Sequence, residues 1–438
     1  MAGSGSERSN VRAPDLDEFD DEEMEATAVG VDLFKSEAIP NYPAVARLGR
    51  YEILGRIARG GMAEVYLARA REDDGTVRHV VLKRVLTEMQ HDRRMREMFL
   101  EEGRIASRLY HPNVCHVYDV GEANGIAYMV LEWVHGPSLR DVVRRLKQHN
   151  TALSPLLSAH IAAKIASALD YIHNARGIDG KPLAIIHQDV TPHNIMLSWK
   201  GQVKLLDFGI AKTLTSGASR TPQGKYEYMS PEQVRSQPID WRSDIFALGV
   251  CLYEMLTGIS PFERESVPQI MTAIVEENPP SLRSIRREIP ELLERIVFKA
   301  LAKHPEHRFR TAGEMQHALE EWITRNGGPV PDVRLALVIG SYFQAEEKAP
   351  LKPGAAQFTG TFGALVAGFE SPIVQEEGEK VDGSADELPS TSSTPRSLRQ
   401  RLFDRFFDMP PLFAFLWTLG AGSVLLALFV VIYLLWVR

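Results

Sequence analysis

From Tyr51 onward the chain alternates in short blocks. "YEILGRIA", "AEVYLARA" and "HVVLKRVL" are apolar, β-branched-rich runs separated by Gly or charged turns, a pattern that predicts strands. "MFLEEGRIASRL" carries helical periodicity. "NVCHVYDVGEANGIAYMVLEWV" predicts two further strands around Asn124-Gly125, a strong hairpin turn pair. After Gly136 the period lengthens. In "LSPLLSAHIAAKIASALDYIHNA", Leu157, Ile161, Ile165, Leu169 and Ile172 fall on one helical face. Further helices are expected around 244–257, 267–275, 290–302 and 312–324. A β-rich lobe followed by a helical lobe is a bilobal α+β arrangement, and the cleft between such lobes is a natural ligand site.

The flanks read differently. Residues 1–45, with the acidic run "DLDEFDDEEMEA", have little to bury and read as a disordered segment. Residues 326–408 lose periodicity and read as a flexible, Pro/Ser/Thr-rich linker. Inside it, "RLALVIGSYF" at 334–343 is an apolar island suited to pack on the preceding lobe. From Leu412 to Val437 no residue is charged. A helix of that length spans about 39 Å, against about 30 Å of hydrocarbon in a bilayer, which predicts a transmembrane helix. Trp417, Tyr433 and Trp436 lie near its ends, where amphipathic rings settle. Arg396, Arg399, Arg401 and Arg405 precede it and only Arg438 follows, so the positive-inside rule leaves the N-terminal bulk in the cytoplasm. The expected organisation is a single-pass C-terminal tail anchor in the cell membrane, with no secretory signal at the N-terminus.

Composition adds limits. With 438 residues, 44% of them hydrophobic, the chain can bury a large core. Its net charge of −7 gives no electrostatic footprint for a nucleic-acid partner. Two cysteines, Cys115 and Cys251, form no CxxC pair, so neither a disulfide framework nor a structural zinc site is expected.

The candidate chemistry lies in a series of motifs. "IARGGMAEVYLA" places a Gly-rich turn between two predicted strands, where backbone N–H groups can approach phosphates. It departs from GxGxxG, because Ala58 and Ala63 hold the outer positions and only Gly60 matches the central one. Lys83 sits among Val80, Val81, Leu82 and Val85, and a phosphate partner would explain a cation there. Glu102, in the next helix, is the candidate to hold that Lys, with Glu101 as its rival. "HQDVTPHN" contains Asp189, suited to accept or orient a hydroxyl proton, and Asn194. "LLDFGIA" contains Asp207. Asn194 and Asp207 are hard oxygen ligands of the kind Mg²⁺ takes alongside phosphate oxygens. "YMSPEQ", "DWRSDIFALGVCLYEMLTG" and "HPEHRF" follow in order.

From about Tyr51 to Trp322 this series resembles the bacterial eukaryotic-like Ser/Thr protein kinases. The resemblance implies a kinase domain over 51–325, with ATP and Mg²⁺ as cofactors and protein Ser/Thr hydroxyls as acceptors. It places Ala58, Gly60, Ala63 and Val65 around the nucleotide and Lys83 on the phosphates, paired with Glu102. Leu131 becomes the gatekeeper, and Glu132 to Val134 the hinge that binds adenine. Asp189 becomes the catalytic Asp, with Asn194 and Asp207 on the metal. Asp244 would tie the catalytic loop to the large lobe, and Glu232 would pair with Arg308. A homodimer is the partner expected for autophosphorylation.

Two departures matter. The family's Lys two residues after the catalytic Asp is Thr191 here, and the family's Thr before the "APE" region is Lys225. The two residue types have exchanged places, and a functional swap would bring the Lys225 ammonium to the γ-phosphate. The family's Arg before the catalytic Asp is Gln188, which cannot make a charge-assisted contact to a phosphorylated activation loop. Switching-on should then depend less on Thr213, Thr215, Ser216, Ser219 or Thr221. Two other readings remain open at this point: a pseudokinase scaffold, and a membrane-tethered adaptor using its acidic N-terminus.

Overall fold

The computed structural model describes residues 42–343 except 61, 73–74, 178 and 208–225. The acidic segment before residue 42, Lys225 with the five candidate phosphorylation sites, and the expected span at 412–437 lie outside the described residues. Among the described residues no helix is long and apolar enough to cross a membrane.

The small lobe is one antiparallel sheet of order β1-β2-β3-β4-β6-β5. Its strands are β1 (Ala46–Leu48), β2 (Tyr51–Arg59), β3 (Ala63–Arg71), β4 (Val77–Val85), β5 (Val117–Ala123) and β6 (Ile126–Glu132). The β5–β6 hairpin turns at Asn124 and Gly125, both at positive φ (53° and 75°), as a primed two-residue turn requires. Helix α1 (Arg93–Ala106) starts at Asp92, whose carboxylate caps the Arg94 and Met95 N–H groups.

Alternation along β3 and β4 gives the sheet two different faces. Val65 pairs directly with Lys83, and Lys83 with Met129, so these three share one face. Glu64 pairs with Arg84 on the other. There the Glu64 carboxylate accepts from Arg84 Nη2 (2.8 Å), Tyr66 Oη (2.9 Å) and Arg56 Nη1 (3.2 Å). Burial acts to raise the Glu64 pKa, and these donors outweigh it, holding the group below its ordinary value.

The large lobe is helical: α2 (Leu139–Gln148), α3 (Pro155–His173), α4 (Pro231–Val234), α5 (Arg242–Thr257), α6 (Val267–Glu276), α7 (Leu282–Ile285), α8 (Glu291–Ala300), α9 (Ala312–Arg325) and α10 (Asp332–Ser341). Between α3 and α4 lies a small hairpin of β7 (Ile195–Leu197) and β8 (Val203–Leu205). The expected helices at 244–257, 267–275, 290–302 and 312–324 are α5, α6, α8 and α9. Gly258 ends α5 in the left-handed region (φ 75°), its N–H returning to Glu254 O, a role for which Gly carries no Cβ penalty.

Two expectations need correction. Helix α3 was expected to bury one stripe. The stripe is buried, but so are Ala159, Ala162, Ala163, Ala166 and Ala168. Small Ala side chains widen the buried face well beyond that stripe, and only the side bearing Lys164, Ser167 and Tyr171 stays half-exposed. The second concerns the boundary of the linker. Residues 332–341, placed within the flexible stretch from 326, form α10 and extend the lobe. Leu335 and Ile339 are fully buried, each contributing about 1.5–3 kcal/mol of burial. At the other end, β1 lies before the expected domain start at residue 51, with Leu48 in the small-lobe core.

Candidate active site

The site assembles at the ends of short elements. Asn194 immediately precedes β7 and Asp207 closely follows β8, and Leu206 N–H bonds to Asn194 O at 2.7 Å. The hairpin therefore brings together two residues separated in sequence. Asn194 Nδ2 donates to Asp189 Oδ2 (2.7 Å) and to Asp189 O (2.9 Å). Because its amide nitrogen is spent on Asp189, its carboxamide oxygen is the end available to a cation.

Lys83 Nζ lies 2.7 Å from Asp207 Oδ1. Burial acts to lower the Lys83 pKa, but the carboxylates of Asp207, Glu102 and Asp189 outweigh it and hold the ammonium above its ordinary value. The Lys thus stays charged in a partly dehydrated cleft. Glu102 is buried on α1, whereas Glu101 is exposed and bonds Arg104. The helix therefore turns Glu102 inward and Glu101 outward. The resemblance pairs Lys83 with Glu102; the bonded ion pair found at Lys83 is with Asp207, and Glu102 acts on it through its charge.

The catalytic-loop backbone is held from below. Asp244 on α5 is buried, and its carboxylate accepts from His187 N (2.8 Å), Gln188 N (2.8 Å) and His173 Nε2 (2.8 Å). These bonds hold Gln188 at φ 59°, a region few non-Gly residues adopt. Asp207 is also at positive φ, 49°. Burial lowers the pKa of His187, and the ring bonds Leu206 O at 3.0 Å through Nε2. Thr191 is buried beside this loop, and its hydroxyl has no hydrogen-bond partner among the described residues. Lys225, its proposed exchange partner, lies outside them.

The remaining candidates line the cleft's upper side. Ala58 pairs with Val65, and Gly60 N–H bonds Ala63 O at 2.8 Å, closing the turn between β2 and β3. A Cβ on Gly60 would meet only that oxygen, at 3.5 Å. Packing in this structure therefore does not demand the glycine; approach by a ligand would. Leu131 is buried at the end of β6, opposite Val81 and Val117. Glu132 N–H bonds His116 O, and its carboxylate pairs with Lys204 on β8 at 2.8 Å. That tie between the hinge and the β7–β8 hairpin was not anticipated from sequence; nothing local to either residue announces it. Val134 is buried next to it.

Away from the cleft, Arg308 forks onto Glu232 with Nη1–Oε1 at 2.7 Å and Nη2–Oε2 at 2.8 Å. Ser243 Oγ adds a third bond to Glu232 at 2.6 Å.

Comparison with known proteins matches residues 51–322 to the protein kinase domain. The chain belongs to the protein kinase family. Among curated kinases, it is 35% identical over 373 residues to the tyrosine-protein kinase MasK of Myxococcus xanthus, covering 81% of this chain and 57% of MasK. It is 37% identical over 271 residues to the serine/threonine-protein kinase PrkC of Bacillus subtilis, covering 61% of this chain and 40% of PrkC. The chain thus spans roughly half the length of these kinases. Among solved structures, a double mutant of the PknI kinase domain of Mycobacterium tuberculosis aligns with a TM-score of 0.50 at 26% identity, covering 64% of this chain and 98% of PknI's. The bacterial eukaryotic-like kinase resemblance read from the motifs is therefore correct, and the two-lobed fold is the kinase fold.

Proposed function

We propose that this kinase transfers the γ-phosphoryl group of ATP to Ser or Thr hydroxyls of proteins. The observation that carries the reading is the convergence of Lys83, the loop bearing Asp189 and Asn194, and Asp207 from three separate stretches of chain. The donor set, one carboxylate in Asp207 and one carboxamide oxygen in Asn194, fits Mg²⁺, which takes one or two carboxylates alongside phosphate oxygens. Held by these two residues, the ion would neutralise charge on the phosphates. Lys83, kept as an ammonium, would hold the α- and β-phosphates, with Glu102 behind it. Val65 and the turn from Ala58 to Ala63 would cover the nucleotide, and Leu131, Glu132 and Val134 would seat the adenine. Asp189, fixed by Asn194, would orient the acceptor hydroxyl and receive its proton. Positioning and electrostatics supply most of the rate in such a site.

The apolar stretch 412–437 and the arginines before it support a place at the cytoplasmic face of a membrane, tethered by one span. A transient homodimer would serve autophosphorylation. A second reading is a scaffold that binds nucleotide or partners with little turnover. It is favoured by the buried Thr191 at the position of a family Lys.

Full-length protein incubated with γ-labelled ATP, Mg²⁺ and a generic protein acceptor, beside Asp189→Asn, separates the readings. Label on Ser or Thr, absent in the variant, supports the first. Nucleotide binding without transfer supports the scaffold. Label on Tyr would align the chain with the activity in MasK's name and overturn the Ser/Thr assignment.

A further inference from the structure

Helix α10 lies beyond residue 322, where the match to the kinase domain ends. It is nevertheless docked against the β7–β8 hairpin. Gly201, at the turn of that hairpin, has φ 82°, and a Cβ there would sit 1.8 Å from Asp332 O at the start of α10. Only glycine allows that approach. At the other end of α10, the Phe343 ring meets Trp199 edge-on at 5.4 Å, with Arg145 over its face at 5.3 Å. Trp199 follows β7, and its backbone N–H bonds His135 O at 2.9 Å. The His135 ring meets Trp199 at 6.4 Å and stacks on Trp133 at 4.6 Å. Trp133 is in the hinge and meets His79 of β4 at 5.7 Å. Gly136 backs the same contact: a Cβ there would lie 1.9 Å from Leu197 O.

This aromatic series runs from the accessory helix to the hinge. The hairpin it braces carries Asn194 before its first strand and Asp207 after its second. We infer that α10 and Phe343 form a strut that positions the hinge and the β7–β8 hairpin for nucleotide. Trp199, Phe343 and Gly201 are positioning residues that act through Trp133, Asn194 and Asp207 and touch no substrate themselves. The inference rests on the nucleotide-site reading above. It adds that nucleotide affinity depends on a segment outside the matched kinase domain.

The test uses full-length Phe343→Ala, Phe343→Tyr and Gly201→Ala, with titration of a fluorescent ADP analogue, steady-state kinetics in ATP and a thermal melt. Phe343→Ala and Gly201→Ala are expected to weaken ADP binding by about threefold to tenfold, the scale of one aromatic contact. KM for ATP should rise to match while kcat at saturating ATP is retained, and Phe343→Tyr should restore the affinity. Unchanged ADP affinity in both variants, with or without a lower melting temperature, would overturn the strut and leave the nucleotide site standing. Failure of the unaltered protein to bind the analogue would overturn the site reading, and the strut with it.

Discussion

Lys83 on β4 of the small lobe and Asp207 beyond β8 of the large lobe meet across 2.7 Å, so an ion pair bridges the cleft. The Lys83 side chain is 16% exposed and that of Asp207 is 40% exposed. The contact is thus reachable from solvent on the Asp side. An incoming phosphate would compete with Asp207 for the ammonium, and a cation would compete with Lys83 for the carboxylate.

Lys83→Met is therefore expected to raise KM for ATP and lower kcat/KM by about 10²–10³, the scale of a preorganised charge at a transferring group. Lys83→Arg should rescue little, because a planar guanidinium does not replace a point charge in a shaped site. Steady-state kinetics with varied ATP measure both.

Asp189→Asn should lower kcat by about 10²–10⁴, the range of a positioned proton acceptor. The change is isosteric, so the melting temperature and ADP affinity should hold. Loss of ADP binding in this variant would mean that Asp189 serves the fold and not the transfer.

The exchange of Thr191 and Lys225 makes a reciprocal prediction. Lys225→Ala should cut turnover by about 10², and the reversed pair, Thr191→Lys with Lys225→Thr, should recover much of it. Full turnover in Lys225→Ala removes the swap. The buried Thr191 hydroxyl, which has no hydrogen-bond partner among the described residues, is the reason to look for a residue that reaches it.

Gln188 carries no charge to engage a phosphorylated loop. Alanines at Thr213, Thr215, Ser216, Ser219 and Thr221 together should leave phosphotransfer largely intact. Measured activity of the five-fold variant decides, and its abolition would restore loop phosphorylation as the switch.

Glu232 gives a pH prediction. Burial acts to raise its pKa, but the Arg308 guanidinium and the Ser243 hydroxyl outweigh this and lower it from 4.5 to about 2. A carboxylate depressed in the folded state stabilises fully above its ordinary value. That stability is lost as pH falls toward the folded value. The melting temperature should thus drop between about pH 5 and pH 2. Glu232→Gln should destabilise at neutral pH by about 3–5 kcal/mol, leaving Arg308 buried and unpaired, and should shrink the acid-induced step. Thermal melts across pH compare the two proteins.

Much of this was legible in the chain. The Asn124-Gly125 turn, the strand alternation around Lys83 and the helices from 244 to 324 declare themselves through local period and turn chemistry. The choice of Glu102 over Glu101 was legible too, since spacing along a helix sets which side faces the sheet. Less legible was the strip from 332 to 343. Its apolar residues showed that it could pack somewhere, but its short length inside polar sequence made it read as part of a linker. Nothing in "SWKGQVK" indicates that Gly201 must stand clear of Asp332, or that Lys204 ties the hinge at Glu132.

By itself, the sequence determined the family and the order of the lobes, and it nominated the polar residues of the site, because turns, periods and motif spacing are local properties of a chain. Tertiary structure alone decided that Lys83 bonds Asp207, that the alanines of α3 are buried along with its apolar stripe, and that α10 braces the hinge through Trp199 and His135. Those facts depend on which distant surfaces come within a few ångströms, and short-range packing and hydrogen bonding between such surfaces leave no periodic mark on either partner's own sequence.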